Sequence, residues 1–124
     1  MNKIESFKDL IVYQKAYKLA MKIFEISKNF PKEEKYSLTD QMRRSSRSVT
    51  SCIAESWAKR RYEKSFVNKL TDSLGEENET EAWLDYSKDC KYIQKEIHET
   101  LLGEYAEVRK MLISMINNSD KWCL

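Results

Sequence analysis

Glycine and proline are nearly missing, at two and one residues in a chain of 124. Sandwiches and barrels need many Gly and Pro turns, so this scarcity argues against an all-β fold and predicts long helices with few loops. Cysteine is scarce too: Cys52, Cys90 and Cys123 are odd in number, widely spaced and without any CxxC pair. Neither a disulfide framework nor a zinc site is expected from them. Cys52, with no histidine near it in sequence, reads as a packing residue rather than a nucleophile. His98 is the one histidine, flanked by Glu96 and Glu99, and reads as an exposed structural residue. No apolar run approaches the ~18 residues of a membrane span, and the opening MNKIESFKDL lacks an apolar signal segment. A cytoplasmic protein with no membrane partner is expected. Phosphate-loop, dinucleotide and zinc-protease motifs are all absent, so neither an enzyme nor a cofactor is expected.

What remains is rich in charge. Charged residues are 34% and hydrophobic ones 41%, and the mean hydropathy of −0.71 suits amphipathic helices. The length is enough for one domain with a real core, spanning 1–124. Asp9 is placed to cap a first helix over about 9–29. In it Val12, Ala16, Leu19, Ile23, Ile26 and Phe30 recur at spacings of four and three, beside a second stripe of Tyr13, Tyr17, Ala20 and Phe24. Pro31 ends it. Ser37 is placed to cap a second helix over about 38–59, with Leu38, Met42, Val49, Ile53 and Trp57 as its apolar side. A third spans about 63–90 and a fourth about 94–117. The tail SDKWCL is expected to fray unless Trp122 docks on a neighbour. The fold class that follows is all-α, an antiparallel up-down-up-down four-helix bundle.

Net charge is only +2 but unevenly spread. From Met42 to Lys64 there are seven basic residues against two acidic. From Asp72 to Glu107 eleven acidic residues stand against three lysines. Five of the six arginines fall in QMRRSSRSVTSCIAESWAKRRYEKS, Gln41 to Ser65. Projected on one continuous helix at 100° per residue, Arg43, Arg47 and Arg61 lie within about 40° of one another. Small residues such as Ser51, Ala54 and Ala58 share that outer face.

Two readings follow. Guanidiniums among hydroxyls suit the phosphates of a nucleic acid. Alternatively, Arg43, Arg44 and Arg47 pair with carboxylates of GEENETE, such as Glu76 and Glu79, across helices or subunits. The pairing reading is preferred for these three. Lys59, Arg60, Arg61 and Lys64, at a helix–helix junction, are the better candidates for an external phosphate. Glu76, Glu77, Glu79 and Glu81 read as solvated or arginine-paired carboxylates, because the E-x-x-H pairs of di-iron bundles are absent.

Three segments occur in an order that resembles one family. They are FKDLIVYQKAYKLA, FPKEEKYSLTDQMRRSSRSVTSCIAES and ETEAWL. The family is that of the four helix bundle proteins, also called the 23S rRNA intervening-sequence proteins, and the likeness runs from about Phe7 to Ile116. FP-x-x-E-x-Y-x-L-x-x-Q-x-R-R is its most specific part. The chain departs from the family pattern at Cys52, where Asn is usual, at Ser56, where Gly is usual, and at Ser45 and Ser46, which replace small apolar residues. The resemblance implies a homopentameric bundle with a central pore. It also implies kinship with accessory proteins of diversity-generating retroelements, which contact a reverse transcriptase and nucleic acid. The partners expected on this basis are a second copy of the chain, RNA or DNA, and a reverse transcriptase or other protein. The alternative is a scaffold whose arginines serve subunit packing, without nucleic-acid binding.

Overall fold

The structure, a computed structural model, describes residues 3–124. It is all-α, with four long helices and a short fifth, and no strand among the described residues. The helices are α1 (Ile11–Ser27), α2 (Asp40–Ala58), α3 (Glu63–Asp89), α4 (Lys95–Asn117) and α5 (Ser119–Trp122).

The first helix starts later than the capping signal suggested. Asp9 does not cap it. Its carboxylate accepts from the Ser6 amide while the Ser6 hydroxyl accepts from the Lys8 amide. That reciprocal pair closes a separate 3₁₀ turn, Phe7–Asp9, and Leu10 is extended before α1 begins. Ser37 is not a cap either. Its hydroxyl donates to Glu34 at 2.7 Å, and it sits in a wide π-type turn, Lys35–Thr39, that runs straight into α2. That hydrogen bond, with a second from the Tyr92 hydroxyl, holds the Glu34 carboxyl below its usual range.

Pair contacts set the packing. Lys15 and Lys22 of α1 reach Glu107 and Glu104 of α4. Ser45 of α2 meets Thr80 of α3, and the Ser73 hydroxyl donates to the Val49 carbonyl. In both pairs the numbers run in opposite senses, so α1 with α4 and α2 with α3 are antiparallel. The core centres on Ile23, Met42, Ile53, Phe66, Leu84 and Leu112, all fully buried. Burying such a side chain stabilises by about 1.5–3 kcal/mol. The α2–α3 seam is the most extensive helix contact, and it is polar. Ser45, Ser73, Thr80 and Ser87 meet the opposite helix along it, and Ser46 and Ser56 of α2 are buried as well. Their hydroxyls are satisfied locally, on carbonyls three or four residues back or across the seam.

The α3 C-terminus closes in a Schellman motif. The Tyr92 amide bonds the Ser87 carbonyl, and the Lys91 amide bonds that of Lys88. The residue that must turn left-handed is Lys91, at φ 65°. Glycine takes this conformation without steric cost, so Lys91→Gly is expected to raise stability by about 1 kcal/mol in urea unfolding. A lower midpoint would contradict this account of the turn.

The tail does not fray. Trp122 packs edge-on against Trp57, with ring centroids 6.5 Å apart. Ser119 donates to Glu63 at 2.6 Å, and the Leu124 amide bonds the Arg60 carbonyl.

Candidate nucleic-acid interface

Helix α2 stops at Ala58, and α3 starts at Glu63 after a four-residue connection in which the Tyr62 amide turns back onto the Lys59 carbonyl. The continuous-helix projection therefore fails for Arg61, which belongs to the connection and not to the face of Arg43 and Arg47. This break gathers Lys59, Arg60, Arg61 and Lys64 at one end of the α2–α3 pair. Arg60 is fixed there. Its Nε donates to the Trp57 carbonyl at 2.9 Å, and its guanidinium lies 3.4 Å above the Trp57 ring. Such stacking holds a guanidinium plane at little entropic cost. Lys59, Arg61 and Lys64 are exposed, and none has a carboxylate within 4 Å among the described residues. Tyr62, 64% exposed, stands among them.

The arginines of the first turns of α2 divide. Arg44 reaches Glu76 at 3.4 Å and Glu79 at 2.5 Å on α3. Glu79 also accepts from the Trp83 indole at 3.0 Å, so Arg44 stitches α2 to α3. Arg43 and Arg47 make no such pair with α3 among the described residues; of the expected pairing across helices or subunits, the interhelix form is seen for Arg44 alone. The reason is geometric: they point toward α1, where Phe24 and Ser27 stand instead of carboxylates. Arg43 Nε donates to Ser27 Oγ at 2.8 Å, and its guanidinium lies 4.8 Å from the Phe24 ring centre. Arg47 lies 5.7 Å from the same ring and is exposed.

The GEENETE carboxylates do not behave alike. Glu81 pairs with Arg109 of α4 at 2.6 Å. Glu77, expected to be solvated or paired, is fully buried, and neither of its oxygens has a hydrogen-bond partner. Burial pushes its carboxyl up to about 9; the Glu81 carboxylate one turn away adds to this and Arg109 opposes it. Glu77 is therefore protonated near neutral pH. The Tyr105 hydroxyl on α4 is likewise buried and unpartnered, and burial raises its pKa as well. A signal for Glu77 was present: Leu70, Glu77 and Leu84 are seven apart, with Ser73, Thr80 and Ser87 between and after them at core spacing. Arg109, outside the basic stretch, carried no comparable signal.

His98 is buried rather than exposed, with Nε2 2.7 Å from Asp85 Oδ1. Its place on the inner face of α4, one turn before Leu101, explains the difference. Cys52 is buried, and burial raises its thiol pKa. Among the described residues no group of three or more His, Cys, Asp or Glu converges as a metal site would require, and no helix is long and apolar enough to cross a membrane.

A family model described as "23S rRNA-intervening sequence protein" matches residues 8–114. Among solved structures the chain is similar to a protein with unknown function from the S23 ribosomal protein family of Bacteroides thetaiotaomicron VPI-5482. Identity is 31% and the TM-score 0.77, with 87% of this chain and 96% of that one covered. No curated protein matches.

Proposed function

Because the chain belongs to the 23S rRNA-intervening sequence protein family, we propose that it is a non-enzymatic bundle that self-associates and binds RNA or DNA through phosphate contacts at the α2–α3 junction. One observation carries this reading. Lys59, Arg61 and Lys64 stand exposed and uncompensated within six residues, in a protein whose other cations are mostly paired or stacked. Three such cations neutralise phosphates without reading bases, so binding depends on salt and hardly on sequence. Tyr62 adds an exposed ring on which an unpaired base can stack. The test is fluorescence anisotropy with a labelled single-stranded RNA of mixed sequence at 50 mM salt. Lys59→Gln/Arg61→Gln/Lys64→Gln is expected to bind at least tenfold more weakly than wild type. Equal binding would overturn the reading.

Self-association has its own support. Tyr17 and Met21 of α1 are 51% and 44% exposed, and they share with Ile26, Ile97 and Leu101 an apolar groove of about 700 Å³ between α1 and α4. Such a patch on a helical face suits a second copy of the chain; a pentamer is the number that the family resemblance suggests. Light scattering coupled to size-exclusion chromatography tests it. An oligomer that Met21→Lys/Ile97→Lys breaks into monomers is expected, and a monomeric wild type would contradict it. A scaffold acting only through such contacts, without nucleic acid, is the outcome if neither wild type nor the junction variant binds RNA at 50 mM salt.

A further inference from the structure

We propose a second phosphate-binding site, built from Arg43 and Arg47 where they line a concavity on α2 beside Phe24, which takes a phosphate group of the bound nucleic-acid strand. This rests on the nucleic-acid reading above but uses different residues.

Three cations surround one phenyl ring. The Arg43 guanidinium and the Lys28 ammonium are each 4.8 Å from the Phe24 centre, and the Arg47 guanidinium is at 5.7 Å. Lys28 is neutralised by Glu25 at 3.2 Å. Neither arginine has a carboxylate within 4 Å among the described residues. Bringing like charges together on an apolar ring costs free energy unless an anion joins them.

The surroundings fit an oxyanion. A concavity of about 490 Å³ is lined by Asp40, Arg43, Arg44, Arg47, Ser48 and Ser51. Its one carboxylate, Asp40, is paired with Lys35 at 3.2 Å, and Arg44 is held by Glu76 and Glu79. The Ser51 hydroxyl donates to the Ser48 carbonyl at 3.2 Å, which leaves Arg43, Arg47 and the Ser48 hydroxyl as donors. Arg43 is pre-oriented, since its Nε is fixed on Ser27 and Nη2 lies 3.4 Å from the Phe24 carbonyl. Its remaining guanidinium hydrogens and the whole fork of Arg47 have no partner among the described residues. Two guanidiniums one helical turn apart match the tetrahedral spread of phosphate oxygens, which accept two parallel N–H bonds from each fork. Arg47 lies about 18 Å from Lys59 along α2 at 1.5 Å per residue. The two sites therefore hold different phosphates of one strand, and their contributions are separable.

Anisotropy with labelled single-stranded RNA, measured on the full chain between 50 and 300 mM salt, tests this. Arg47→Gln is the primary variant, because the Arg47 side chain is exposed and donates no hydrogen bond among the described residues. Arg43→Gln/Arg47→Gln is expected to lose about 0.7 from the magnitude of the slope of log K against log salt, the share of one phosphate, and the single variant a part of that. Strands with a 5′-phosphate or a 5′-hydroxyl separate the sources. A wild-type preference for the 5′-phosphate that the double variant loses supports the site and assigns it to a terminal monoester. Equal binding of the two strands with the lowered slope supports it and assigns it to internal diesters. An unchanged slope in both arginine variants, alongside a reduced slope in the junction variant, overturns this site and leaves the junction reading standing. Oligomer dissociation by Arg47→Gln at unchanged RNA affinity overturns it in favour of a subunit contact. A wild type that does not bind at 50 mM salt overturns both.

Discussion

Glu77→Gln is expected to stabilise the folded chain by about 3 kcal/mol at pH 7. The carboxyl is fully buried with both oxygens unpartnered, and its pKa is pushed up to about 9 from the 4.5 of an ordinary glutamate. The unfolded chain releases this proton near pH 4.5, whereas the folded chain keeps it until about pH 9. The contribution of Glu77 to stability is thus fully present below pH 4.5. It is lost as pH rises toward 9, by about 1.4 kcal/mol per unit. Glutamine has nearly the same shape and is also neutral and polar. The cost of burying polar atoms therefore largely cancels, and the protonation cost is what the substitution removes. Urea unfolding of both proteins at pH 5, 7 and 9 should show curves that diverge as pH rises, with the variant always the more stable. Equal stability at pH 7, or a gap that closes toward pH 9, would show that Glu77 is ionised and solvated.

Ser45→Leu is expected to cost about 3 kcal/mol. Ser45 is fully buried where α2 and α3 meet, with Oγ 2.8 Å from Thr80 Oγ1. The seam is lined by serines and threonines, so the two helices approach closely and no space exists for three further carbons. Enlarging the side chain pushes α3 away and strains the Arg44 bridge to Glu76 and Glu79 beside it. Ser45→Ala keeps the volume and loses only the hydroxyl contact, so it should cost under about 1 kcal/mol. Comparable losses in the two variants would locate the stabilisation in the hydroxyl rather than in the close approach.

The seam shows what the sequence makes legible. Apolar positions at spacings of three and four identify an all-α chain, because Val12, Ala16, Leu19 and Ile23 have no other reason to recur so. The same periodicity places Ser73, Glu77 and Thr80 in the core, but their polarity hides it: a rule that sends charge to the surface outweighs a seven-residue repeat carried by Leu70 and Leu84. The arginines were legible as a cluster and not as partners. Arg43, Arg44 and Arg47 share a helix face to within about 100°, yet one meets glutamates and two meet a phenyl ring, because neighbouring helices present different residues a few ångströms apart. Arg60 and Arg61 are adjacent in sequence, but the turn after Ala58 folds one onto Trp57 and leaves the other in water. Trp122 was visible as an anchor whose dock lay on another helix, and that dock proved to be Trp57.

The central claim is that cations left without carboxylates inside the bundle serve phosphates outside it. It is tested most directly by the salt dependence of wild-type binding to single-stranded RNA. With Lys59, Arg61 and Lys64 each neutralising a phosphate, log K should fall against log salt with a slope of about −2 or steeper. A slope near zero, or no binding at 50 mM salt, would contradict the account.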